Sequence, residues 1–201
     1  MTSRKQVVVI DSGGANLASL GFALERQDVE IIVTGNAKLI ASAERVLLPG
    51  VGNAAAIMDR LNAQGLVPVI RALSCPVLGI CLGMQLLFER SAEGSTAGLA
   101  LLNGLVEPIA PAPGFPVPHM GWNTLRQRID DPLLHNIDSN DWFYFVHGYH
   151  APGSAPSVIA TVEYGTSFAA VVRSANYRGV QFHPERSGAA GAKLIANFLE
   201  L

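Results

Sequence analysis

The residue types best suited to covalent chemistry occur in two short segments that lie far apart along the chain. Cys81 stands between glycines in the run Gly-Ile-Cys-Leu-Gly at positions 79–83, and His183 is followed by Pro184 and Glu185. A thiolate is a strong nucleophile, an imidazole can carry a proton to or from a reacting group, and a carboxylate can orient that imidazole. The two segments therefore contain the three parts of a nucleophile–base–orienter triad.

The residues around Cys81 are typical of a strand that is followed by a sharp turn and a helix. Positions 77–80 form a short apolar run, as in a buried strand, and positions 82–89 repeat with the period of a helix. Glycines at 79 and 83 would allow the turn, because side chains there would collide with neighbouring atoms. Such a turn projects the thiol and places it at a helix N-terminus, which favours the thiolate. A buried structural cysteine in a loop is the alternative interpretation.

The segment around His183 predicts a strand that ends at the histidine. Positions 179–182 are compatible with a strand, and Pro184 cannot continue its hydrogen-bonded ladder. A turn at the proline would let the Glu185 carboxylate reach the imidazole. Such a sequence can also be an incidental turn, but a cysteine at the same edge of the sheet favours the catalytic interpretation.

The order of the elements in the first half predicts an α/β fold with a parallel sheet covered on both faces. We predict strands at 7–10, 29–33, 45–48 and 77–80, and helices up to 25 (capped by Asn16), around 54–61 and at 67–73. Active sites of such sheets lie at the carboxyl ends of the strands. Cys81 and the loop 49–52 both fall there.

The second half is richer in short strands. They are expected at 104–108, 124–128, 142–146, 158–162, 168–173 and 179–182, with a loop at 91–98 and a final helix at 189–199. The proline-rich stretch 108–118 contains interleaved apolar residues, which favours an ordered loop or an edge strand over a domain linker. We therefore predict a single domain over residues 1–201.

Composition and charge narrow the classes of function. The chain is 49% hydrophobic and 15% charged, with a net charge of −2. It has no basic run, which argues against nucleic-acid and anionic-membrane partners. The apolar start is too short for a signal peptide or a membrane span. Cys75 and Cys81 flank one strand, where a disulfide would distort the turn, so we expect reduced thiols and a cytoplasmic protein. No metal-ligand spacing is present, and we expect no metal and no other cofactor.

Longer motifs resemble a known family, the class I (triad) glutamine amidotransferases. They are Gly-Ile-Cys-Leu-Gly-Met-Gln at 79–85, Phe-His-Pro-Glu at 182–185 and Pro-Gly-Val-Gly at 49–52. The resemblance covers essentially the whole chain. It implies a flavodoxin-like three-layer sandwich, with a mostly parallel central sheet, helices on both faces and a β-rich second half. It also implies hydrolysis of glutamine to glutamate and ammonia.

Further motifs resemble one branch of that family, the glutaminase subunits of imidazole glycerol phosphate synthases. They are Pro-His-Met-Gly-Trp-Asn at 118–123, Tyr-Phe-Val-His-Gly-Tyr at 144–149 and Asp-Ser-Gly-Gly-Ala-Asn at 11–16, where Ser12 replaces the usual tyrosine. In that branch the glutaminase forms a heterodimer with a (β/α)8-barrel cyclase subunit. The cyclase uses the ammonia to make imidazole glycerol phosphate and aminoimidazole carboxamide ribotide (AICAR) in histidine biosynthesis.

The resemblance implies a role for each matching residue of this chain. Cys81 would attack the glutamine amide, His183 would move the proton, and Glu185 would orient His183, with a γ-glutamyl thioester as intermediate. The candidates for holding the oxyanion or the substrate are Gly50, Val51, Gly52, Leu82, Gln85, His147, Gly148 and Tyr149. The candidates for the partner interface are Asn16, His119, Met120 and Trp122. From the residues alone, Gln85 could equally face solvent from a helix, and Trp122 could be a core residue in a turn.

Three other functions share parts of this pattern. A glutaminase that serves another synthase, such as the pyridoxal phosphate or anthranilate system, has the same catalytic motifs, although the run at 118–123 argues against it. A non-catalytic regulatory subunit would not need Cys81, His183 and Glu185. A cysteine peptidase or γ-glutamyl hydrolase would act alone, and the latter is expected to be secreted with more disulfides.

Overall fold

A computed structural model describes residues 4–13 and 17–201 of the chain, and this part contains fourteen strands and six α-helices. The strands are β1 (Gln6–Ile10), β2 (Glu30–Thr34), β3 (Val46–Gly50), β4 (Val77–Cys81), β5 (Phe88–Ser91), β6 (Thr96–Ala97), β7 (Leu102–Pro108), β8 (His119–Thr124), β9 (Arg126–Gln127), β10 (Trp142–His147), β11 (Tyr149–His150), β12 (Val158–Tyr164), β13 (Thr166–Ser174) and β14 (Tyr177–Val180). The helices are α1 (Leu17–Glu25), α2 (Ala37–Ala41), α3 (Ala54–Ala63), α4 (Leu66–Arg71), α5 (Leu82–Gln85) and α6 (Gly188–Leu199). Asn16, which we expected to cap α1, lies outside the described residues.

The centre of the fold is an eight-stranded sheet in the order β2-β1-β3-β4-β14-β13-β12-β9. The first five strands pair in parallel, and β13, β12 and β9 continue the sheet in antiparallel pairs. Two smaller sheets, β10-β8 and β11-β7-β5-β6, come from the second half of the chain. The predicted fold class is confirmed.

Helices cover both faces of the central sheet because successive residues of its buried strands point to opposite sides. In β1, Val7 and Val9 pack into one apolar cluster together with residues of α1 and α6. Val8 and Ile10 pack into a second cluster with residues of α2, α3 and α4. The result is the expected three-layer sandwich.

The predicted helix at 82–89 is wrong in its length, because α5 ends at Gln85. The following residues form β5, which pairs in parallel with β7 and brings Phe88 opposite Leu102. Phe88 is fully buried there. Tertiary pairing and burial thus override the helical period of this segment. We expected a loop at 91–98, but this segment contains the short strand β6, which pairs with β5 in the same sheet.

Two other local expectations are corrected. Residues 119–124, where we expected a turn at Trp122, form β8 and pair antiparallel with β10. Helix α2 was not predicted, although the side chain of Asn36 caps it by accepting hydrogen bonds from the Lys38 and Leu39 N–H groups. Among the described residues, no helix combines the length and the apolar character that crossing a membrane requires.

Candidate active site

Cys81 occupies a sharp turn between β4 and α5, as the flanking glycines predicted. Its backbone dihedral angles are φ 53° and ψ −111°, an unusual conformation for a residue with a side chain. A Cβ atom on Gly79 would lie 2.7 Å from the carbonyl oxygen of Gly83, and one on Gly83 would overlap the carbonyl oxygen of Leu48. Glycine at both positions lets the turn pack against β3 and present the thiol at the end of its strand.

The helix behind Cys81 contributes less to its chemistry than the sequence suggested. Helix α5 has only four residues, so few peptide dipoles are aligned behind the sulfur. The short helix therefore adds little positive potential at the sulfur.

His183 reaches the same edge of the sheet from the adjacent strand. Strand β14 pairs in parallel with β4, with Gly179 opposite Gly79, so both strands end on the same side. Nδ1 of His183 lies 2.8 Å from Oε1 of Glu185, and the two side chains are 7% and 6% exposed. The predicted turn at Pro184 is confirmed as a 3-10 turn, Pro184–Arg186. Nε2 of His183 is buried and makes no hydrogen bond with the described residues.

The charges around His183 favour its protonated form. Burial lowers the pKa of His183, but the Cys81 sulfur and the Glu185 carboxylate, through hydrogen bonding and charge, raise it to about 10. Because Nε2 has no hydrogen-bond partner among the described residues, we attribute the raised pKa mainly to Glu185, whose Oε1 lies 2.8 Å from Nδ1.

Cys81 opens into a cavity of about 300 Å³ that contains most of the residues expected to hold substrate. The cavity is lined by Val51, Gly52, Cys81, Leu82, Gln85, Glu93, Pro118, Val146, His147, Gly148, Tyr149 and His183. Gly50 does not line it. This residue is buried in β3 opposite Cys81, and a Cβ atom on it would lie 2.8 Å from the backbone nitrogen of Gly83. A larger, open cavity of about 800 Å³ beside the end of α6 contains none of these residues.

Gln85 does not face solvent; it belongs to a buried hydrogen-bond network. Its Nε2 donates to the carbonyl oxygen of Tyr149 at 2.8 Å and to Oε1 of Gln181 at 3.0 Å. Gln181 is fully buried, and its Nε2 lies 3.8 Å from Sγ of Cys81. Gln181 was not singled out in the sequence, because it follows an apolar strand and its partners are distant along the chain.

His147 lines the cavity, and a second buried histidine, His119, lies behind it. Nδ1 of His147 lies 2.8 Å from the carbonyl oxygen of Tyr149, and its Nε2 lies 3.0 Å from Nδ1 of His119. A carbonyl can only accept, so we assign the proton of His147 to Nδ1 and that of His119 to its own Nδ1. Burial lowers the pKa of His147 to about 3 and that of His119 to about 4, so the pair is neutral.

Three of the four interface candidates lie on β8, where they occupy different environments. Met120 and Trp122 are 62% and 52% exposed and point to the same side of the strand. His119 is only 2% exposed and stacks on the rings of Phe145 and Tyr164, which differs from the surface position that we expected. Asn16 lies outside the described residues.

Two further contacts support the site and were not predicted. Ser12 Oγ donates a hydrogen bond of 2.8 Å to the carbonyl oxygen of Pro49, which ties the loop after β1 to β3. Oε2 of Glu93 accepts a hydrogen bond of 2.7 Å from the Ala54 N–H at the start of α3. Within residues 4–13 and 17–201, no three His, Cys, Asp or Glu side chains are grouped closely enough to hold a metal ion.

Comparisons with known proteins identify the family of this chain. Residues 8–201 match the family model described as glutamine amidotransferase class-I. The chain is 50% identical over 195 residues to the imidazole glycerol phosphate synthase subunit HisH of Xanthomonas oryzae pv. oryzae (strain MAFF 311018), covering 97% of each chain. It is 46% identical over 216 residues to the protein of the same name from Colwellia psychrerythraea, covering 100% of this chain and 95% of that one.

A solved structure shows the same fold at low sequence identity. It is the structure of PurLQS from Thermotoga maritima, with a TM-score of 0.73, 20% identity and coverage of 98% of this chain and 99% of that one. The match of the family model and the identity to the HisH proteins extend over nearly the whole sequence. The chain therefore belongs to the class-I glutamine amidotransferase family.

Proposed function

We propose that this chain is the glutaminase subunit of an imidazole glycerol phosphate synthase and that Cys81, His183 and Glu185 hydrolyse glutamine. The observation that carries the proposal is the position of Cys81, on a strained turn beside the His183–Glu185 pair, in a cavity of about 300 Å³. The near-full-length identity to HisH proteins supports the assignment to this synthase.

The proposed reaction begins with the sulfur of Cys81 attacking the side-chain carbonyl carbon of glutamine. The carbon–nitrogen bond then breaks, the proton on Nε2 of His183 goes to the departing nitrogen, and ammonia leaves a γ-glutamyl thioester on Cys81. A water molecule, deprotonated by the now neutral His183, attacks this thioester and releases glutamate. The raised pKa of His183 supports its role as the proton donor of the first step.

The rest of the cavity is suited to hold the reacting glutamine. The N–H of Leu82 directly follows the nucleophile and is the first candidate donor to the oxyanion, with the Val51–Gly52 region as the second. The backbone of His147, Gly148 and Tyr149 is proposed to contact the α-amino and carboxylate groups. Glu93 contributes a carboxylate to the lining, which complements the positive charge of the substrate amino group.

The proposed partner surface is the outward face of the β8–β10 sheet. Met120 and Trp122 lie on this face with Trp142, which is 56% exposed, and with Tyr144, which pairs with Trp122. Large exposed apolar and aromatic side chains on one face are typical of a protein interface. Val146 continues the same face and lines the cavity, which supports docking of the cyclase subunit directly beside the site of ammonia release.

The proposal includes two further statements about the whole protein. We propose a single domain over residues 1–201, supported by two apolar clusters that pack on opposite faces of one sheet. We also propose a cytoplasmic location, supported by two free cysteines.

The experiment that tests this function measures glutamate release from glutamine by the purified chain, alone and with the cyclase subunit of an imidazole glycerol phosphate synthase in the presence of its ribonucleotide ligand. We expect release that rises in the complex, is abolished by Cys81→Ala and persists in the matched control Cys75→Ala. The absence of glutamate under every condition would contradict the glutaminase assignment. Release that the cyclase subunit does not change would contradict the assignment to this synthase.

A further inference from the structure

The side chain of Gln181 connects the nucleophile to the substrate cavity from inside the protein. It is fully buried directly after β14, where Nε2 lies 3.8 Å from Sγ of Cys81 and Oε1 accepts a hydrogen bond of 3.0 Å from Gln85. A buried amide that makes these contacts is ordered by them, because leaving either end unpaired would cost free energy.

The direction of the Gln181 amide follows from the backbone carbonyl of Tyr149. This oxygen can only accept, so the nitrogen of Gln85, 2.8 Å away, must be its donor. The second N–H of the same nitrogen then needs an acceptor, which is Oε1 of Gln181. With its oxygen facing Gln85, Gln181 must direct its own N–H groups toward the sulfur of Cys81.

This arrangement discriminates between the two states of the sulfur. A thiol would donate its proton, and the acceptor in reach is the carbonyl oxygen of Val146 at 3.9 Å. A thiolate accepts hydrogen bonds and would gain the Gln181 N–H as a partner. Because α5 has only four residues, a side-chain donor has more effect here than it would at the start of a long helix.

We propose that Gln181 is a positioning residue of the glutaminase reaction, which holds the sulfur of Cys81 through its amide N–H, stabilises the thiolate and is itself oriented by Gln85. The part concerning turnover rests on the proposed function, whereas the effect on the thiolate does not. Because Gln85 also lines the cavity, the same contact links the substrate pocket to the state of the nucleophile.

The test measures the rate at which iodoacetamide alkylates Cys81 as a function of pH, in a Cys75→Ala background so that one thiol is followed. Gln181→Met keeps the length of the side chain and removes the N–H donor. We expect the pH midpoint of its alkylation profile to rise by about one unit, so that the rate at pH values below the wild-type midpoint falls about tenfold, as for a hydrogen bond to a charged group. An unchanged profile would overturn the proposal.

Gln181→Glu keeps the shape of the amide and places a carboxylate oxygen against the sulfur. We expect a larger loss of alkylation than in Gln181→Met, and an equal or faster rate would contradict the role of the N–H donor. Gln127→Met is the matched control, because Gln127 donates to the carbonyl oxygen of Ile137 away from the cavity. This control should alkylate like the parent, and thermal unfolding of all variants shows which of them are folded.

A double-mutant cycle tests the link between the two glutamines. If Gln85 orients Gln181, the effects of Gln85→Met and Gln181→Met on the alkylation rate should be less than additive, because the first change already releases the amide. Strictly additive effects would contradict this link. Glutamate release measured in parallel distinguishes the glutaminase function from the effect of Gln181 on the thiolate. If the wild-type chain releases no glutamate but the variants show the expected alkylation profiles, the proposed function is refuted and the effect on the thiolate is supported.

Discussion

The proton on His183 determines how the proposed triad begins its reaction. With a pKa raised to about 10, His183 is protonated at neutral pH and can supply the proton that the leaving ammonia requires. Glu185, 2.8 Å from Nδ1, stabilises that charge and fixes the ring. This electrostatic arrangement refines the role of base that the sequence suggested for the histidine.

The pH dependence of His183 gives the first prediction. Glu185→Gln removes one of the charges that raise the pKa, so the histidine should titrate at lower pH, and glutaminase kcat should fall by about 10²- to 10⁴-fold. NMR titration of the His183 ring measures the first effect. A wild-type ring that titrates near its ordinary value of 6.5 would contradict the account.

The same shift has a consequence for stability. Because the pKa in the folded protein lies above the ordinary value of 6.5, the protonated ring stabilises the fold fully below about pH 6.5, and this contribution is lost as pH rises toward about 10. The difference in unfolding free energy between wild type and His183→Gln should therefore shrink over that interval. Denaturant titrations at several pH values measure it, and a difference that grows with pH would refute the assignment.

The turn between β4 and α5 depends on glycine at two positions, and this is where sequence reasoning was most successful. The Gly-x-Cys-x-Gly spacing fixes local backbone geometry, so it could be read without knowledge of distant residues. The length of α5 could not be predicted from the sequence, because β5 forms by pairing with β7, about fifteen residues later. Gln181 was missed for the same reason, since its partners Cys81 and Gln85 come together only in the fold.

Gly83→Ala should therefore destabilise the protein. Its Cβ would overlap the carbonyl oxygen of Leu48, and relief requires a backbone shift that costs about 1–3 kcal/mol or more. Gly21→Ala is the matched control, since the added Cβ meets no described atom within 4 Å beyond its chain neighbours and the backbone of its own helix, and alanine favours the helix by about 0.5–1 kcal/mol. Chemical denaturation compares the two, and a stable Gly83→Ala would show that the turn tolerates side chains.

A buried ion cluster fixes the loop at 131–134 to the central sheet. The Asp131 carboxylate is fully buried, lies 2.8 Å from Nε of Arg178 and 2.9 Å from Nη1 of Arg173, and accepts a hydrogen bond from the Leu133 N–H. Burial raises the pKa of Asp131, but the hydrogen bonds from both arginines, the Leu133 N–H and the Arg178 charge outweigh it and lower the pKa overall. The ionised carboxylate is therefore part of the folded state.

Asp131→Asn should cost about 3–5 kcal/mol, because it leaves two guanidinium groups without their counter-ion. The stabilisation by Asp131 is present above its ordinary pKa of 3.8 and is lost as pH falls through the lowered value in the folded protein. Asp130→Asn, outside the cluster, is the control. Equal unfolding free energies for the two variants at neutral pH would contradict this role.

The arrangement of the three sheets brings the candidate partner surface and the cavity together. Strand β8 carries exposed Met120 and Trp122 on one face of the β8–β10 sheet, and Val146 of β10, on the same face, reaches the cavity. The family resemblance indicated these interface residues. It did not indicate the strand that carries them, because Gly121 and Asn123 have low strand propensity and interrupt the β pattern of 119–124.

Trp122→Ala should weaken binding of the cyclase subunit by about tenfold or more, since exposed aromatic anchors dominate protein interfaces. Leu39→Ala is the control, because Leu39 is similarly exposed on α2, away from the β8–β10 face. Calorimetric titration gives both affinities. Equal affinities for the two variants would place the interface elsewhere.

The central claim is that Cys81 attacks glutamine and carries its acyl group, and one measurement tests it most directly. The reaction is quenched in acid during turnover with excess glutamine, and the protein is digested. Mass spectrometry then measures the masses of its cysteine-containing peptides. We predict a γ-glutamyl adduct on Cys81 that is absent from Cys81→Ala and does not form on Cys75. Steady glutamate release without an adduct on Cys81, or release that persists in Cys81→Ala, would contradict the account.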